Sequence, residues 1–159
     1  MPTVRKNCDL LCFTHLRWDF VYQRPQHLMS RFAKDGRVFF IEEPIYHDGA
    51  SEMKISHRGE NLFVVVPHLQ NGKDANRIDS QMSRMIDNLI ADYDINEFIT
   101  WYYTPMMLRW SGHLSPTAVI YDAMDELSAF KNAPRELIEL EAELFSLGDL
   151  VFTGGQSLY

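Results

Sequence analysis

Residues 8–33, CDLLCFTHLRWDFVYQRPQHLMSRFA, decide the fold. Leu10-Leu11-Cys12-Phe13 is a continuous apolar run, the pattern of a strand buried on both faces of a parallel sheet. The chain then changes character into a loop dense in chemistry: His15, Arg17, Trp18, Asp19, Tyr22, Gln23 and Arg24. Pro25 restarts it as a helix, because its fixed φ and missing N–H do no harm in a first turn. Leu28 with Phe32, and Met29 with Ala33, repeat at four-residue spacing, and Gly36 supplies a stop. The order strand, polar loop, helix, strand puts the loop at the carboxyl edge of a parallel sheet, where such folds bind ligands. Two arginines, a histidine and a helix N-terminus at that edge suit an anion such as phosphate. The competing structural reading is that the arginines cap carboxylates and Trp18 is a lid over the core.

The remaining chain repeats that alternation. Arg37-Val38-Phe39-Phe40-Ile41 is a second buried strand ending on Glu42-Glu43-Pro44. Adjacent acids point to opposite sides of a strand, so one of the two is expected to pair with Arg17 or Arg24. Residues 46–60 are polar and turn-rich, with Met53-Lys54-Ile55-Ser56 alternating like an edge strand and Arg58-Gly59-Glu60-Asn61 reading as a hairpin turn. Leu62 to Val66 is a further strand, ending at Pro67. Ile78, Met82, Met85, Ile86, Leu89, Ile90 and Tyr93 lie at helical spacing. Phe98-Ile99-Thr100-Trp101-Tyr102 closes on Tyr103-Thr104-Pro105, and Pro105 opens a short helix. Ala118 to Tyr121 leads into Asp122-Ala123-Met124-Asp125-Glu126, three carboxylates directly after a buried strand. A helix starting near Pro134 turns Leu137, Leu140, Leu144, Phe145 and Leu147 inward. The strand 149–152 ends in Thr153-Gly154-Gly155, whose glycines permit close approach of backbone to a ligand. The fold class is therefore α/β, a doubly wound, mostly parallel sheet with helices on both faces.

Bulk properties narrow the function. The 159 residues fit one domain with a proper core, 46% of them apolar. A formal net charge of −7 without a basic stripe argues against nucleic acid. No stretch approaches the ~20 apolar residues of a membrane span, and the N-terminus shows no cleavage site of signal-peptide type, so cytoplasm is expected. Cys8 and Cys12 stand about 13 Å apart along one strand at ~3.3 Å per residue, beyond the ~7 Å reach of a disulfide. They do not make a zinc spacing either, and read as core thiols. His47, His57 and His68 are isolated. Asp92-Tyr93-Asp94 spells D-x-D but falls at a helix end, away from any buried strand, so no metal is expected. The sequence lacks G-x-G-x-x-G, a P-loop and a G-x-S-x-G elbow.

The runs FTHLRWDFVYQRPQHLMSRFA, RVFFIEEP, WYYTPM, YDAMDELSAF and DLVFTGGQSLY resemble the N-terminal half of bacterial glycosyltransferases of the family 4 type, which have the GT-B architecture of two facing Rossmann-like domains. The resemblance covers nearly the whole chain. It implies that residues 1–159 are a single acceptor-side domain and that the C-terminal donor-binding domain is absent from them. It implies transfer of a sugar from a nucleotide-diphospho-sugar to a glycan or lipid-linked acceptor in envelope polysaccharide synthesis, with the donor as substrate and no separate cofactor. Asp122 and Asp125 then stand in the catalytic positions. His15, Arg17, Trp18, Arg24, Tyr103, Thr104, Glu126, Gly154 and Gly155 are the substrate-binding candidates. The resemblance further implies a cytoplasmic location at the inner face of the membrane, peripheral membrane contact, self-association of the lone half and no activity from it alone. A departure from the family is the His-Leu-Arg-Trp sequence where many relatives carry a glycine-rich loop. The alternative is a non-catalytic sugar- or phosphate-binding or scaffold module.

Overall fold

A computed structural model describes residues 8–124 and 132–153. Its strands are β1 (Asp9–Thr14), β2 (Val38–Glu42), β3 (Ile45–His47), β4 (Glu52–His57), β5 (Leu62–Gln70), β6 (Phe98–Tyr102), β7 (Ala118–Ala123) and β8 (Leu150–Thr153). Its α-helices are α1 (Arg24–Phe32), α2 (Ala75–Asp92), α3 (Leu108–Ser111, preceded by a 3-10 turn Pro105–Met107) and α4 (Arg135–Leu147). The strands form one sheet in the order β3-β5-β2-β1-β6-β7-β8, with β4 added to β5. All pairings are parallel except β4 with β5. The chain moves outward from β1 to β2 and β5, then returns to the other side of β1 to build β6, β7 and β8. That reversal places a crevice between the carboxyl ends of β1 and β6, where open α/β sheets bind ligands.

Side chains alternate across the sheet with period two, and each set has its own cover. Leu10, Cys12, Val38, Phe40, Leu62, Trp101 and Ile120 pack with Met29 of α1. Leu11, Phe13, Phe39, Ile41, Phe63, Val65, Tyr102 and Tyr121 pack with Met82, Ile86 and Leu89 of α2, with Leu108 and Trp110 of α3 and with Leu144 of α4. All six residues of β1 are buried, as its unbroken apolar run requires. The alternating segment around Met53 is an antiparallel edge strand, and the turn after it holds Gly59 at φ +131°, a conformation that glycine adopts without a Cβ penalty.

Several expectations need correction. β5 does not end at Pro67 but runs to Gln70, and the turn-rich stretch contains the short strand β3. Between the pairs Ile41–Val65 and Ile45–His68, the β2–β3 side uses one residue more than β5, a bulge-like break. Pro44 and Pro67 both lie at this break, where the ladder gives up its donors, so proline does not terminate pairing there. Helix α1 ends at Phe32 with Ala33 in an ordinary right-handed conformation, so Gly36 is not its cap. On α4, Leu137 and Leu144 are buried, whereas Phe145 and Leu147 are 48% and 47% exposed. Both cysteines are free, Cys12 buried and Cys8 partly exposed. Asp92-Tyr93-Asp94 sits at the C-terminal end of α2, near the amino edge of the sheet.

Candidate functional site

The carboxyl ends of the strands carry a row of polar side chains on the face covered by α1. Glu42 of β2 is the register partner of Thr14 of β1. Tyr103, whose N–H donates to Phe13 O at 2.8 Å, continues the row beyond β6. Asp122 of β7 follows, paired with Phe152 of β8. Glu42, Thr14, Tyr103 and Asp122 are 4%, 0%, 1% and 0% exposed. A polar layer this deep is costly unless something completes its hydrogen bonds.

Two arginines from the loop and the start of α1 close the row at its acidic members. Arg17 Nη1 donates to Glu43 O at 2.6 Å and lies 3.4 Å from Glu42 Oε1, while the Trp18 N–H donates to Glu42 Oε2 at 3.3 Å. Burial raises the Glu42 carboxyl above its ordinary range, and the Trp18 N–H and Arg17 pull it part of the way back. Arg24 Nη2 stands 3.0 Å from Asp122 Oδ1. Burial likewise raises Asp122, against the opposing pull of the Arg24 charge and the Tyr103 hydroxyl. This Arg24 contact is ionic and poorly aligned. Neither Asp122 oxygen, nor the Tyr103 hydroxyl, nor Trp101 Nε1 has an aligned hydrogen-bond partner among the described residues. Cys12 lies fully buried close by, its thiol pushed well up by burial and by the Asp122 charge. The unsatisfied capacity of this row is thus concentrated at Asp122 and Tyr103.

The structure sorts the sequence-based candidates. Asp122, Tyr103 and Arg24 come together. Arg17 is held at the other end of the row by Glu42 and the Glu43 carbonyl, the structural pairing weighed for those acids. Trp18 is a lid: its ring meets Phe40 edge-on at 5.0 Å, and it packs on the α1-side core. The loop therefore descends along the sheet face, and Asp19 is clamped by Arg58 Nε and Nη2 at 3.0 and 2.5 Å. Thr104 accepts from the Met106 N–H at 3.2 Å and starts the 3-10 turn. His15 is half-buried at the exit of β1. Asp125, Glu126, Gly154 and Gly155 lie outside the described residues.

Two site features escaped the sequence reading. Gln26, 1% exposed, donates to Trp18 O at 3.2 Å and Val21 O at 2.8 Å, and accepts from the Gln23 N–H at 2.9 Å. It shapes the loop from within α1. At the start of α1 the Gln23 N–H is taken by the Gln26 side chain and Pro25 contributes no N–H, which leaves that terminus fewer donors for an anion. Thr14 was unremarkable in sequence, and only register places it in the row. Concavity alone does not pick out this site: a groove of about 660 Å³ lined by Asp9, Arg37, Asp94 and Glu97 lies at the opposite edge of the sheet. Among the described residues, no group of His, Cys, Asp and Glu is arranged to hold a metal ion.

No protein-family profile and no curated protein matches this chain. Its fold does match a solved structure, an α,α-trehalose-phosphate synthase (UDP-forming) from Burkholderia xenovorans in complex with glucose-6-phosphate. The TM-score is 0.57 at 10% sequence identity, over 91% of this chain and 40% of that one. The chain thus spans less than half the length of that neighbour. At this identity the likeness concerns architecture alone: the chain has an α/β Rossmann-like fold, consistent with one half of the GT-B architecture.

Proposed function

We propose that this chain is a sugar-transfer module, the acceptor-side half of a glycosyltransferase that uses a nucleotide-diphospho-sugar. The observation that carries the reading is Asp122, fully buried at the carboxyl end of β7 beside the Tyr103 hydroxyl, with neither group in an aligned hydrogen bond among the described residues. A carboxylate next to a phenol is the donor and acceptor set that recognises vicinal sugar hydroxyls, and its position is the ligand edge of a fold shared with a known glycosyltransferase. Arg24, 39% exposed, lies between Asp122 and solvent and is the group that an incoming ligand displaces or an anionic substituent engages.

In the transfer, an acceptor hydroxyl attacks the anomeric carbon and the nucleoside diphosphate departs. In an inverting reaction Asp122 takes the proton of that hydroxyl, and burial, by raising its carboxyl, makes it a better base. In a retaining reaction the same group orients the sugar. Asp125 is proposed as its catalytic companion, with His15, Thr104, Glu126, Gly154 and Gly155 around the substrate. The acceptor is proposed to be a glycan or lipid-linked sugar of the cell envelope, with the other half of the cleft supplying the donor site.

Isothermal titration of residues 1–159 with glucose and with glucose-6-phosphate tests the site. The expected result is weak, roughly millimolar binding to at least one of them, abolished in Asp122→Asn and weakened in Tyr103→Phe, without transfer when a nucleotide sugar is added. Heats that are flat for both ligands, or unchanged in Asp122→Asn, refute the assignment. Binding that persists in the intact natural protein without any transfer activity supports the non-catalytic module instead.

A further inference from the structure

At the far side of the carboxyl edge, the first turns of α2, the end of β5 and the β3–β4 connection enclose a cavity of about 490 Å³. Its wall is fastened at two points: the Gln70 N–H donates to Ser51 Oγ at 2.8 Å, and the Asn71 N–H to His47 O at 2.8 Å. Lys73, Arg77 and Arg84 line it, together with Ser80 and Gln81. Arg77, Ser80, Gln81 and Arg84 stand at i, i+3, i+4 and i+7, so they share one face of α2. Asp74 is the one acid in the lining, and it caps the helix by accepting from the Arg77 N–H at 2.9 Å. The flanking acids already have donors of their own. Asp79 accepts from Trp110 Nε1 at 2.7 Å and lies 3.8 Å from Arg109. Asp48 accepts from Asn71 Nδ2 at 2.9 Å, and Asp87 meets His113 Nε2 at 2.7 Å. The cations are the reverse case. Lys73 and Arg84 form no ion pair or hydrogen bond among the described residues, and Arg77 stands 4.0 Å from Asp74. Three cations against one acid give the lining a charge of +2, in a chain whose formal net charge is −7.

We propose that this cavity binds a small molecule carrying two phosphoryl groups, a diphosphate or a bisphosphate. Cations without counter-charges in a concavity raise the local concentration of anions, and a guanidinium fork matches two phosphate oxygens at once. The spacing selects two anionic groups over one. Seven residues put Arg77 and Arg84 about 10.5 Å apart along the axis, so each guanidinium takes its own phosphoryl group. Lys73 adds a third charge from the loop before α2, and the Ser80 hydroxyl and Gln81 amide supply neutral donors between the arginines. The volume falls within the range of small-molecule sites. The N-terminus of α2 is not the anchor, because Asp74 occupies it. The cavity is also separate from the Asp122 row. It lies on the α2 side of the sheet at the end of β5, four strand spacings or about 19 Å from β7. The inference therefore does not rest on the sugar-transfer reading.

The test is isothermal titration of residues 1–159 with inorganic pyrophosphate, with fructose 1,6-bisphosphate and with inorganic phosphate. Pyrophosphate or the bisphosphate is expected to bind at least about tenfold more tightly than phosphate, and to weaken at about 0.5 M salt. Whichever of the two binds more tightly shows whether the phosphoryl groups are adjacent or separated. Arg77→Gln and Arg84→Gln should each weaken that binding about tenfold, one charge-assisted contact apiece. Both should leave the thermal midpoint unchanged, because neither side chain has a close acidic partner and Gln keeps the helix propensity. R31Q/K34Q, which removes two exposed cations outside the cavity, should bind as the wild type does, and so should Asp122→Asn. Absence of binding, or phosphate binding as tightly as both probes, overturns the inference. So does equal weakening by R31Q/K34Q, the mark of diffuse surface charge, or loss of binding in Asp122→Asn, which puts the anion beside Arg24.

Discussion

Replacing Arg24 by Gln leaves the fully buried Asp122 without its counter-charge, and the cost follows from the geometry. A pair at 3.0 Å in an effective dielectric of ~20 has a Coulomb ceiling of about 5 kcal/mol. Arg24 is 39% exposed, so solvent screens it, and the pair falls between the ~0–1 kcal/mol of exposed pairs and the ~3–5 kcal/mol lost when a buried pair is broken. We expect Arg24→Gln to destabilise by about 2 kcal/mol at about pH 8. The pH dependence has a definite sign. Burial raises the folded-state Asp122 carboxyl above its unfolded value, so the folded protein binds the proton more tightly. The stability this supplies is complete below the ordinary aspartate range and is lost as pH rises through the raised value. Removing Arg24 takes away the largest opposing pull and moves that loss to higher pH, so the substitution should cost less at acid pH, where the folded protein holds the Asp122 proton, than at about pH 8. Asp122→Asn should abolish this pH dependence and remain within about 1 kcal/mol of wild type at pH 8, because an amide can still meet Tyr103. Denaturant unfolding of the wild type, both single variants and the double variant at acid pH and at about pH 8 is the assay, followed by the fluorescence of Trp18, Trp101 and Trp110. A coupling energy below about 0.5 kcal/mol at pH 8, or an equal cost of Arg24→Gln at both pH values, refutes the argument.

Gln26→Ala removes two donors and an acceptor that shape the loop; a loss of about 2–3 kcal/mol is expected at ~1 kcal/mol per bond, with new proteolytic sensitivity confined to residues 15–23. Tyr121→Phe removes a 2.7 Å hydrogen bond to the buried Glu141 carboxylate, for an expected cost of about 1–3 kcal/mol in denaturant unfolding. Both measurements report on packing beneath the site, and a cost near zero in either would show that those side chains find replacement partners.

The local pattern already contained much of this protein. Continuous apolar runs at Leu10–Phe13 and Val38–Ile41, helices opened by Pro25 and by the polar stretch before Ile78, and alternation at Met53–Ser56 are periodicities of two and 3.6 that need no tertiary information. Together with the order of elements they specify a doubly wound sheet and put His15, Tyr103 and Asp122 at its carboxyl edge. What they do not contain is the identity of the partner each charged side chain finds. Arg17 and Arg24 look alike in sequence, yet one is absorbed by Glu42 and the Glu43 carbonyl while the other faces Asp122. Trp18 and Phe20 are both aromatic loop residues. The first packs on Phe40 and the second remains in water, because Gln26 and Arg58 fix the backbone between them. Pro67, a terminator by local rules, sits inside a strand because its neighbours bulge at the same level. Strand register across the sheet aligned Glu42, Thr14, Tyr103 and Asp122 into one buried row. Register is a contact between segments far apart in the chain, so the tertiary structure alone decided which of the edge residues stand together.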